Sequence, residues 1–409
     1  MMTPTITNKT ALFMLNSITS PAFFFSVEKT VILHVLYHKT NTACKNNRIF
    51  YRKKRDISGN LCYNERMCIP TDERQDLYGR LPELLLPWYK RNKRDLPWRE
   101  NTDPYRVLVS EIMLQQTRVE AARAYFIRFT EALPTVRTLA DCPEDKLLKL
   151  WEGLGYYSRA KNLQKAAKQI VAAGKFPNTF EGLLKLSGVG VYTAGAVASI
   201  AFSLPVPAVD GNVVRVLSRL FGDDSPQEAL RAEYTQKLAP VYPPDDCGDF
   251  TQSLMELGAT VCTPRSPKCM LCPLLAHCDT KSDVLPRKTA KPEKKKIDMT
   301  LFPVLTPKGI GFTRRSDGVL SGMWQFFNAE RAISAEEIPE FLRSSGFHRF
   351  EILPPRTHKH VFTHLEWNMT AYPVKTEETP DFLTYFAAEE AGEKVALPTA
   401  FRWCMKYLK

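Results

Sequence analysis

The apolar positions of residues 76–261 repeat with helical spacing, and this pattern predicts an all-α region. At its centre, from Leu183 to Leu217, two apolar helices flank the turn Ser187-Gly188-Val189-Gly190, the second of them predicted over Val191–Phe202, and a third helix follows Asp210. No segment of the region alternates in the manner of a convincing strand. The other predicted helices are Tyr105–Thr117, Val119–Leu133, Pro143–Trp151, Arg159–Ala173, Pro226–Ala239 and Phe250–Val261.

The pattern changes after residues 281–296, which form a Pro- and Lys-rich linker. From Ile297 onwards apolar and polar positions alternate, and this predicts a smaller α+β domain over residues 297–409 beside the helical domain at 76–280. The predicted strands are Met299–Leu305, Gly309–Phe312 and Trp367–Val374, and the predicted helices are Ala335–Ser344 and Phe401–Leu408.

Residues 1–70 show no sustained period of either kind, which predicts a poorly ordered N-terminal extension. A start placed upstream of a natural beginning near Met67 would explain the same pattern. The sequence leaves both explanations open.

The charge of the chain favours a polyanionic partner, because 409 residues carry a net charge of +12 and a pI of about 9.1. No apolar run reaches the roughly 18 residues that a membrane span needs, and the N-terminus lacks the ordered regions of a secretory signal. Six of the ten cysteines are scattered without a disulfide-like pattern, which indicates a reducing compartment. We therefore expect a cytoplasmic protein associated with the nucleoid.

The turn at Gly188, Val189 and Gly190 predicts a phosphate contact. Two glycines allow a tight turn, and the free amides at the start of the next helix, together with its dipole, form an anion site. This is the helix-hairpin-helix pattern. A turn that only connects two helices is the alternative for the glycines alone.

Two carboxylates have the contexts that acid catalysis requires. Glu111 has Val107, Leu108 and Leu114 on its helical face, and burial there would raise its pKa and keep a proton available. A partly exposed Glu at the helix edge is the alternative. Asp210 ends an apolar loop and opens a helix, so we expect an N-cap that stays ionised near neutral pH and can steady a cation.

Four cysteines crowd into the loop 262–278 and predict a metal site there. Their spacing is Cys262-x6-Cys269-x2-Cys272-x5-Cys278. Only the middle pair has the spacing common in structural zinc sites, whereas a [4Fe–4S] cluster can take four cysteines from one compact loop. The spacing favours the cluster and leaves zinc open.

Together these motifs resemble the adenine DNA glycosylases of the MutY type, within the helix-hairpin-helix glycosylase superfamily. The resemblance covers roughly residues 81–409. It rests on the hairpin, the cysteine spacing and four short motifs, namely Leu96-Pro97-Trp98-Arg99, Ser110-Glu111-Ile112-Met113-Leu114-Gln115-Gln116-Thr117, Gly153 to Tyr157, and Val209-Asp210-Gly211-Asn212. It implies a mainly α glycosylase domain with a [4Fe–4S] loop and a smaller Nudix-like α+β domain.

The resemblance also implies roles for the two carboxylates. Glu111 is expected to protonate the adenine base, and Asp210 to stabilise the sugar cation or its covalent adduct. Tyr192 and Asn212 are expected to support Asp210, and Glu256 to face the extruded adenine.

The remaining implied roles concern DNA. Gln116 and Tyr156 are expected to open the duplex, with further DNA contacts from Arg99 and from Gly188, Val189 and Gly190. Phe362, Thr363 and His364 occupy the place of a Phe-Ser-His loop that reads 8-oxoguanine. Two positions depart from the family pattern, since Thr363 replaces Ser and Ser187 replaces Pro.

The implied function is removal of adenine opposite 8-oxoguanine or guanine in double-stranded DNA by a monomeric DNA N-glycosylase. The alternative is an endonuclease III-like glycosylase and lyase acting on oxidised pyrimidines, but Tyr192 stands where such enzymes place a nucleophilic Lys. A non-catalytic nucleic-acid binding protein is a third possibility, disfavoured by Glu111 and Asp210. The segment Gly322–Phe327 is Nudix-like, yet Asn328 replaces an expected Glu, so we predict no metal-dependent hydrolysis there.

Overall fold

The computed structural model describes residues 50–55, 61–67, 71–281, 283–287 and 293–408. The chain divides into two units, residues 1–79 and 80–409. In the first unit, β1 (Phe50–Arg55) pairs antiparallel with β2 (Leu61–Met67). The poorly ordered extension expected over residues 1–70 stays a prediction, and within it these two segments form strands. A register shift between Tyr51 and Lys53 interrupts the pairing, and such a shift hides the period of two from a sequence pattern. The rest of the extension lies outside the described residues.

Helices follow one another from Thr71 to Thr260, and no strand occurs within the described residues 71–281, as predicted. Short 3-10 turns lie at Pro97–Arg99 and Ala239–Val241. The helices are α1 (Thr71–Asn92), α2 (Pro104–Leu114), α3 (Val119–Ala132), α4 (Val136–Ala140), α5 (Glu144–Leu150), α6 (Ser158–Ala172), α7 (Phe180–Leu184), α8 (Val191–Phe202), α9 (Gly211–Leu220), α10 (Gln227–Leu238) and α11 (Cys247–Thr260).

Helix α2 begins as predicted and ends earlier than predicted. The Asp103 carboxylate accepts a hydrogen bond from the Tyr105 amide at 3.0 Å, and Pro104 occupies the first turn. The helix ends at Leu114 because Gln116 adopts a left-handed backbone with φ 57°. This early end lifts Gln116 out of the helix and exposes it.

Helix α8 forms the centre of the helical domain, since its residues from Thr193 to Ser199 are buried. It packs against α2, α7 and α11. Residues 203–209 then lead to Asp210 at the start of α9. A buried central helix thus carries Tyr192 at one end and leads to Asp210 after the other.

The C-terminal domain contains two sheets with the strand orders β7-β3-β10-β9 and β12-β5-β4-β11-β8, and β6 also pairs with β5. The β3–β10 and β4–β11 pairs are parallel. The strands are β3 (Lys295–Phe302), β4 (Val304–Thr306), β5 (Gly309–Arg314), β6 (Trp324–Gln325), β7 (Phe327–Ala329), β8 (Glu351–Ile352), β9 (Arg356–Val361), β10 (Leu365–Ala371), β11 (Val374–Lys375) and β12 (Thr384–Phe386).

The helices of this domain are α12 (Ile338–Ser344), α13 (Ala388–Lys394) and α14 (Thr399–Arg402). The α+β class is confirmed, but several boundaries differ from the predictions. Strand β3 begins at Lys295, inside the predicted linker, where it pairs with Leu365 on β10. The predicted helix Phe401–Leu408 is a short helix followed by a 3-10 segment at Trp403–Tyr407. In the described ranges, no helix is long and apolar enough to cross a membrane.

Candidate active site

A pocket of about 470 Å³ lies in the helical domain and holds both predicted catalytic carboxylates. Helix α2 supplies Glu111, α8 supplies Tyr192, and Asp210 and Asn212 stand at the start of α9. Helix α11 closes the wall with Glu256. Residues far apart in the sequence therefore meet around one cavity, as the sequence motifs predict.

Glu111 is a buried acid, only 6% exposed. The Tyr192 hydroxyl donates a hydrogen bond to Glu111 Oε2 at 2.6 Å, and not to Asp210, which it was expected to support. Burial raises the pKa of Glu111 to about 7; the nearby charge of Asp210 adds to this rise, and the Tyr192 hydrogen bond opposes it. The prediction of a buried carboxyl with a raised pKa is confirmed, and the exposed alternative is wrong.

Asp210 caps helix α9 as predicted. Its carboxylate accepts hydrogen bonds from the Val213 amide at 2.8 Å and from Asn212 Nδ2 at 2.6 Å. Burial nevertheless raises the pKa of Asp210 above its usual range, while these hydrogen bonds lower it. A capping position predicts these hydrogen bonds but gives no indication of how deeply the carboxylate lies, so the effect of desolvation on its pKa could not be predicted from the sequence.

Asn212 is held by Arg215, a residue that the sequence analysis missed. Arg215 Nη2 donates to Asn212 Oδ1 at 2.7 Å and to the Gly258 carbonyl at 2.8 Å, and its Nε donates to the Cys262 carbonyl at 2.8 Å. A Cβ added at Gly258 would lie 2.6 Å from Asn212 Cβ, so glycine is required where α11 approaches α9. The signal was available, since Arg215 lies three residues after Asn212 on one helical face.

Glu256 lines the pocket, but both of its carboxylate oxygens are occupied. Arg94 Nε lies 2.7 Å from Oε1, and Arg99 Nη2 lies 2.8 Å from Oε2. Burial alone would raise the pKa of Glu256, but the hydrogen bonds and charges of the two arginines outweigh it and hold the pKa below its usual value. The expected contact between Glu256 and adenine therefore stays a prediction.

Arg99 forms its hydrogen bonds within the protein. Its Nε donates to Gln252 Oε1 at 2.9 Å and its Nη1 donates to the Arg94 carbonyl at 3.1 Å, in addition to the bond with Glu256. The predicted DNA contact of Arg99 has no support in this geometry, because neighbouring residues within the pocket wall bind its guanidinium.

The hairpin turn offers backbone amides at the start of α8. Gly188 has φ 76°, and a Cβ there would lie 2.7 Å from Asn162 Cβ. Gly190 has no left-handed backbone, and a Cβ added there would have no close neighbour. This open space is what an approaching phosphate would require. Val189 departs from the prediction, because its side chain packs in the core at 8% exposure and its amide donates to the Leu186 carbonyl at 3.1 Å.

The predicted duplex-opening residues and the predicted 8-oxoguanine loop lie side by side. Gln116 and Tyr156 are both exposed and both have left-handed backbones, with φ 57° and 46°. The Tyr156 hydroxyl lies 2.5 Å from the Thr363 hydroxyl. Phe362 packs against Trp367 with ring centroids 4.7 Å apart, and His364 is exposed. Thr363 of the predicted recognition loop thus contacts Tyr156 of the predicted duplex-opening turn.

Three family models match the chain. Residues 109–240 match the HhH-GPD superfamily base excision DNA repair protein, residues 262–278 match the iron-sulfur binding domain of endonuclease III, and residues 311–407 match the NUDIX domain. The chain is 37% identical over 297 residues to an adenine DNA glycosylase of Arabidopsis thaliana, which covers 59% of this chain and 46% of the relative. It is 46% identical over 208 residues to an adenine DNA glycosylase of Rattus norvegicus, which covers 47% of this chain and 40% of the relative.

The chain is thus similar to adenine DNA glycosylases over about half of its length. It spans less than two thirds of the length of these two relatives. Among solved structures, a thermostable thymine-DNA glycosylase is 28% identical with a TM-score of 0.46, covering 52% of this chain and 98% of that chain. The Nudix-like character predicted for the C-terminal domain is confirmed by the family match.

The loop that matches the iron-sulfur binding domain carries the four clustered cysteines of the chain. Cys262, Cys269, Cys272 and Cys278 line one cavity of about 30 Å³, and each is a free thiol. Four thiols around one small cavity are the donor set that a [4Fe–4S] cluster requires. The match of residues 262–278 to an iron-sulfur binding domain favours the cluster over zinc.

The cluster loop is tied to α9. Arg219 Nη1 donates to Cys262 Sγ at 3.4 Å and to the Thr263 carbonyl at 2.7 Å, and Arg219 Nε donates to the Leu285 carbonyl at 2.7 Å. Together with the bond from Arg215 to the Cys262 carbonyl, these contacts join the loop to the helix that Asp210 caps.

Proposed function

We propose that this protein is a DNA glycosylase that releases adenine mispaired with 8-oxoguanine or guanine by acid-assisted hydrolysis of the N-glycosidic bond. The observation that carries the proposal is the Glu111–Tyr192 pair in one pocket with Asp210. A carboxyl with a pKa of about 7 retains a proton near neutral pH and can donate it.

The two carboxylates divide the reaction between them. Glu111 transfers its proton to a ring nitrogen of adenine, so that the bond from the base to the sugar C1′ breaks with the electron pair on a neutral leaving group. The sugar develops oxocarbenium character, which the Asp210 carboxylate stabilises as a nearby negative charge. Water then adds to C1′, and its proton passes to the carboxylate that Glu111 has become. Asn212 and the Val213 amide keep Asp210 oriented towards the pocket.

The base must leave the duplex before it reaches this pocket. In this proposal the exposed side chains of Gln116 and Tyr156 enter the helix stack, and the amides at the start of α8 hold a backbone phosphate. A net charge of +12 supports binding to double-stranded DNA that weakens as salt rises. The protein would act as a monomer on the chromosome in the cytoplasm.

Efficient strand cleavage is not expected. A lyase needs an amine that forms a Schiff base with the sugar, but Tyr192 occupies the expected lysine position. Moreover, the residues that line the pocket include no lysine among those the structure describes. Borohydride trapping of the protein on DNA in high yield would contradict this part of the proposal.

The C-terminal domain is proposed to recognise 8-oxoguanine on the opposite strand. The supporting observation is that Thr363, in the predicted recognition loop, touches Tyr156 in the predicted duplex-opening turn. Helix α12 carries a single carboxylate, Glu340, and this argues against the Glu-rich metal helix of a Nudix hydrolase.

Single-turnover base release tests the proposal on a duplex with one adenine opposite 8-oxoguanine. Duplexes with adenine opposite guanine, adenine opposite thymine, and thymine glycol serve as comparisons. We expect rapid loss of adenine opposite 8-oxoguanine and opposite guanine, and no release from the other two duplexes. Release of the oxidised pyrimidine with strand scission would replace the proposal by the endonuclease III-like alternative.

A further inference from the structure

Arg159, in the first turn of α6, is bonded to the two turns that carry Gln116 and Tyr156. Its Nη1 donates to the carbonyls of Ile112 at 2.9 Å, Met113 at 3.0 Å and Gln115 at 2.5 Å, at the end of α2. Its Nη2 donates to the carbonyls of Leu154 at 3.2 Å and Gly155 at 3.3 Å, in the turn before α6. One guanidinium thus joins two segments that are far apart in the sequence.

The backbone carbonyls are the main partners of the Arg159 guanidinium, because no carboxylate forms an ion pair with it among the described residues. Its side chain is partly buried. Burial lowers the pKa of Arg159 to about 10, so the group stays charged at neutral pH. The carbonyls at the end of α2 also carry the negative end of the helix dipole, which attracts the cation.

Each of the two turns that Arg159 joins contains a residue with an unfavourable backbone conformation. Gln116 and Tyr156 are not glycines, yet both adopt left-handed backbones. Such conformations persist only where surrounding contacts hold them. The guanidinium also lies 5.5 Å from the centre of the Tyr156 ring, so it contacts that turn through both backbone and side chain.

We infer that Arg159 is a positioning residue that holds the Gln116 and Tyr156 turns at one fixed separation, so that both side chains enter the duplex together. The inference rests on the proposed function, in which these two residues open the helix. The planar fork of donors is essential to this role, because a lysine ammonium is a compact charge and cannot bond to both turns in the same way.

Substitutions of Arg159 test this role. Arg159→Met removes all the bonds, and Arg159→Lys keeps the charge alone. Arg128→Met is the matched control, because Arg128 is an exposed arginine that lies 4.6 Å from the Tyr125 ring and contacts neither turn. Each variant is compared with the wild type in thermal melting and in the visible absorbance of the cluster, which show whether the protein is folded.

Two measurements report base extrusion. The fluorescence of 2-aminopurine at the target adenine position, with saturating protein, reports the extruded fraction, and single-turnover release of adenine opposite 8-oxoguanine reports the rate. We expect Arg159→Met to lower both by about tenfold or more and Arg128→Met to change neither by more than about twofold. If Arg159→Met does not fold, Arg159→Lys carries the test, and wild-type values in that variant would overturn the inference.

A mutant cycle separates positioning from general damage. In a Gln116→Ala, Tyr156→Ala background, the further change Arg159→Met should cost less than about twofold, because the side chains that it positions are already gone. Equal loss in both backgrounds would overturn the inference. A wild-type protein that releases no adenine, while its 2-aminopurine fluorescence still depends on Arg159, would refute the proposed function and leave this inference standing.

Discussion

Replacing Tyr192 with Phe tests how the acid is tuned. The Tyr192 hydroxyl donates to Glu111 Oε2 at 2.6 Å, and this bond favours the ionised carboxylate. Its loss should therefore raise the pKa of Glu111 further above about 7. A hydrogen bond to a charged group contributes about 1.5–3 kcal/mol, and one pKa unit corresponds to about 1.4 kcal/mol. We expect a rise of about one to two units.

The sign of the effect on rate follows from the role of Glu111. A general acid must be protonated, so the rate is present at low pH and is lost as pH rises through the pKa. Single-turnover adenine release should fall above about pH 7 in the wild type, and the Tyr192→Phe variant should show the same fall at higher pH. The maximal rate of the variant should also be lower, because the orientation of the carboxyl is lost.

Tyr105→Phe is the matched control for this experiment. Tyr105 is a buried tyrosine on the same helix as Glu111, and its hydroxyl donates to the Leu133 carbonyl at 2.6 Å and not to the acid. Its pH profile should match that of the wild type. A fall in rate at unchanged or lower pH in Tyr192→Phe would refute the assignment of Glu111 as the acid whose pKa this bond lowers.

Three other substitutions probe the pocket. Glu111→Gln should abolish base release and raise the free energy of unfolding above pH 7 by about 3 kcal/mol in denaturant titration, because the folded-state pKa is about 7 against 4.5 for an unperturbed carboxyl. Glu256→Gln should lower the free energy of unfolding by about 3 kcal/mol, because Arg94 loses its buried ionic partner, and the loss should shrink as pH falls through the lowered pKa of Glu256. Gly258→Ala should displace Asn212 and slow base release by about 10- to 100-fold, whereas Gly392→Ala, with open space at its Cα, should leave the rate unchanged.

Much of the fold could be predicted from local patterns. Helix α8 has the predicted bounds Val191–Phe202, because its apolar residues are continuous and glycine marks its start. The end of α2 was missed, since nothing in Gln115-Gln116-Thr117 marks a break. The left-handed backbone at Gln116 coincides with bonds from Arg159, on a helix much later in the chain, to Ile112, Met113 and Gln115. A conformation supported by such a distant side chain does not change the local spacing of apolar and polar residues, so that spacing could not predict it.

The two buried glutamates of the pocket differ in whether the direction of their pKa shift could be predicted from the sequence. Glu111 and Glu256 both lie on helices and are both almost fully buried, at 6% and 1% exposure. Their pKa values nevertheless move in opposite directions, because Glu111 meets a neutral hydroxyl and Glu256 meets two guanidinium groups. The apolar neighbours of Glu111 on its own helix predicted burial, and hence the raised pKa. The arginines that bind Glu256 lie before α2, near the other end of the helical domain's sequence, so no local pattern places them beside it. The proton donor Glu111 could therefore be predicted from the apolar face of its own helix. The ionised state of Glu256 could not, because it depends on arginines that only the tertiary fold brings beside it.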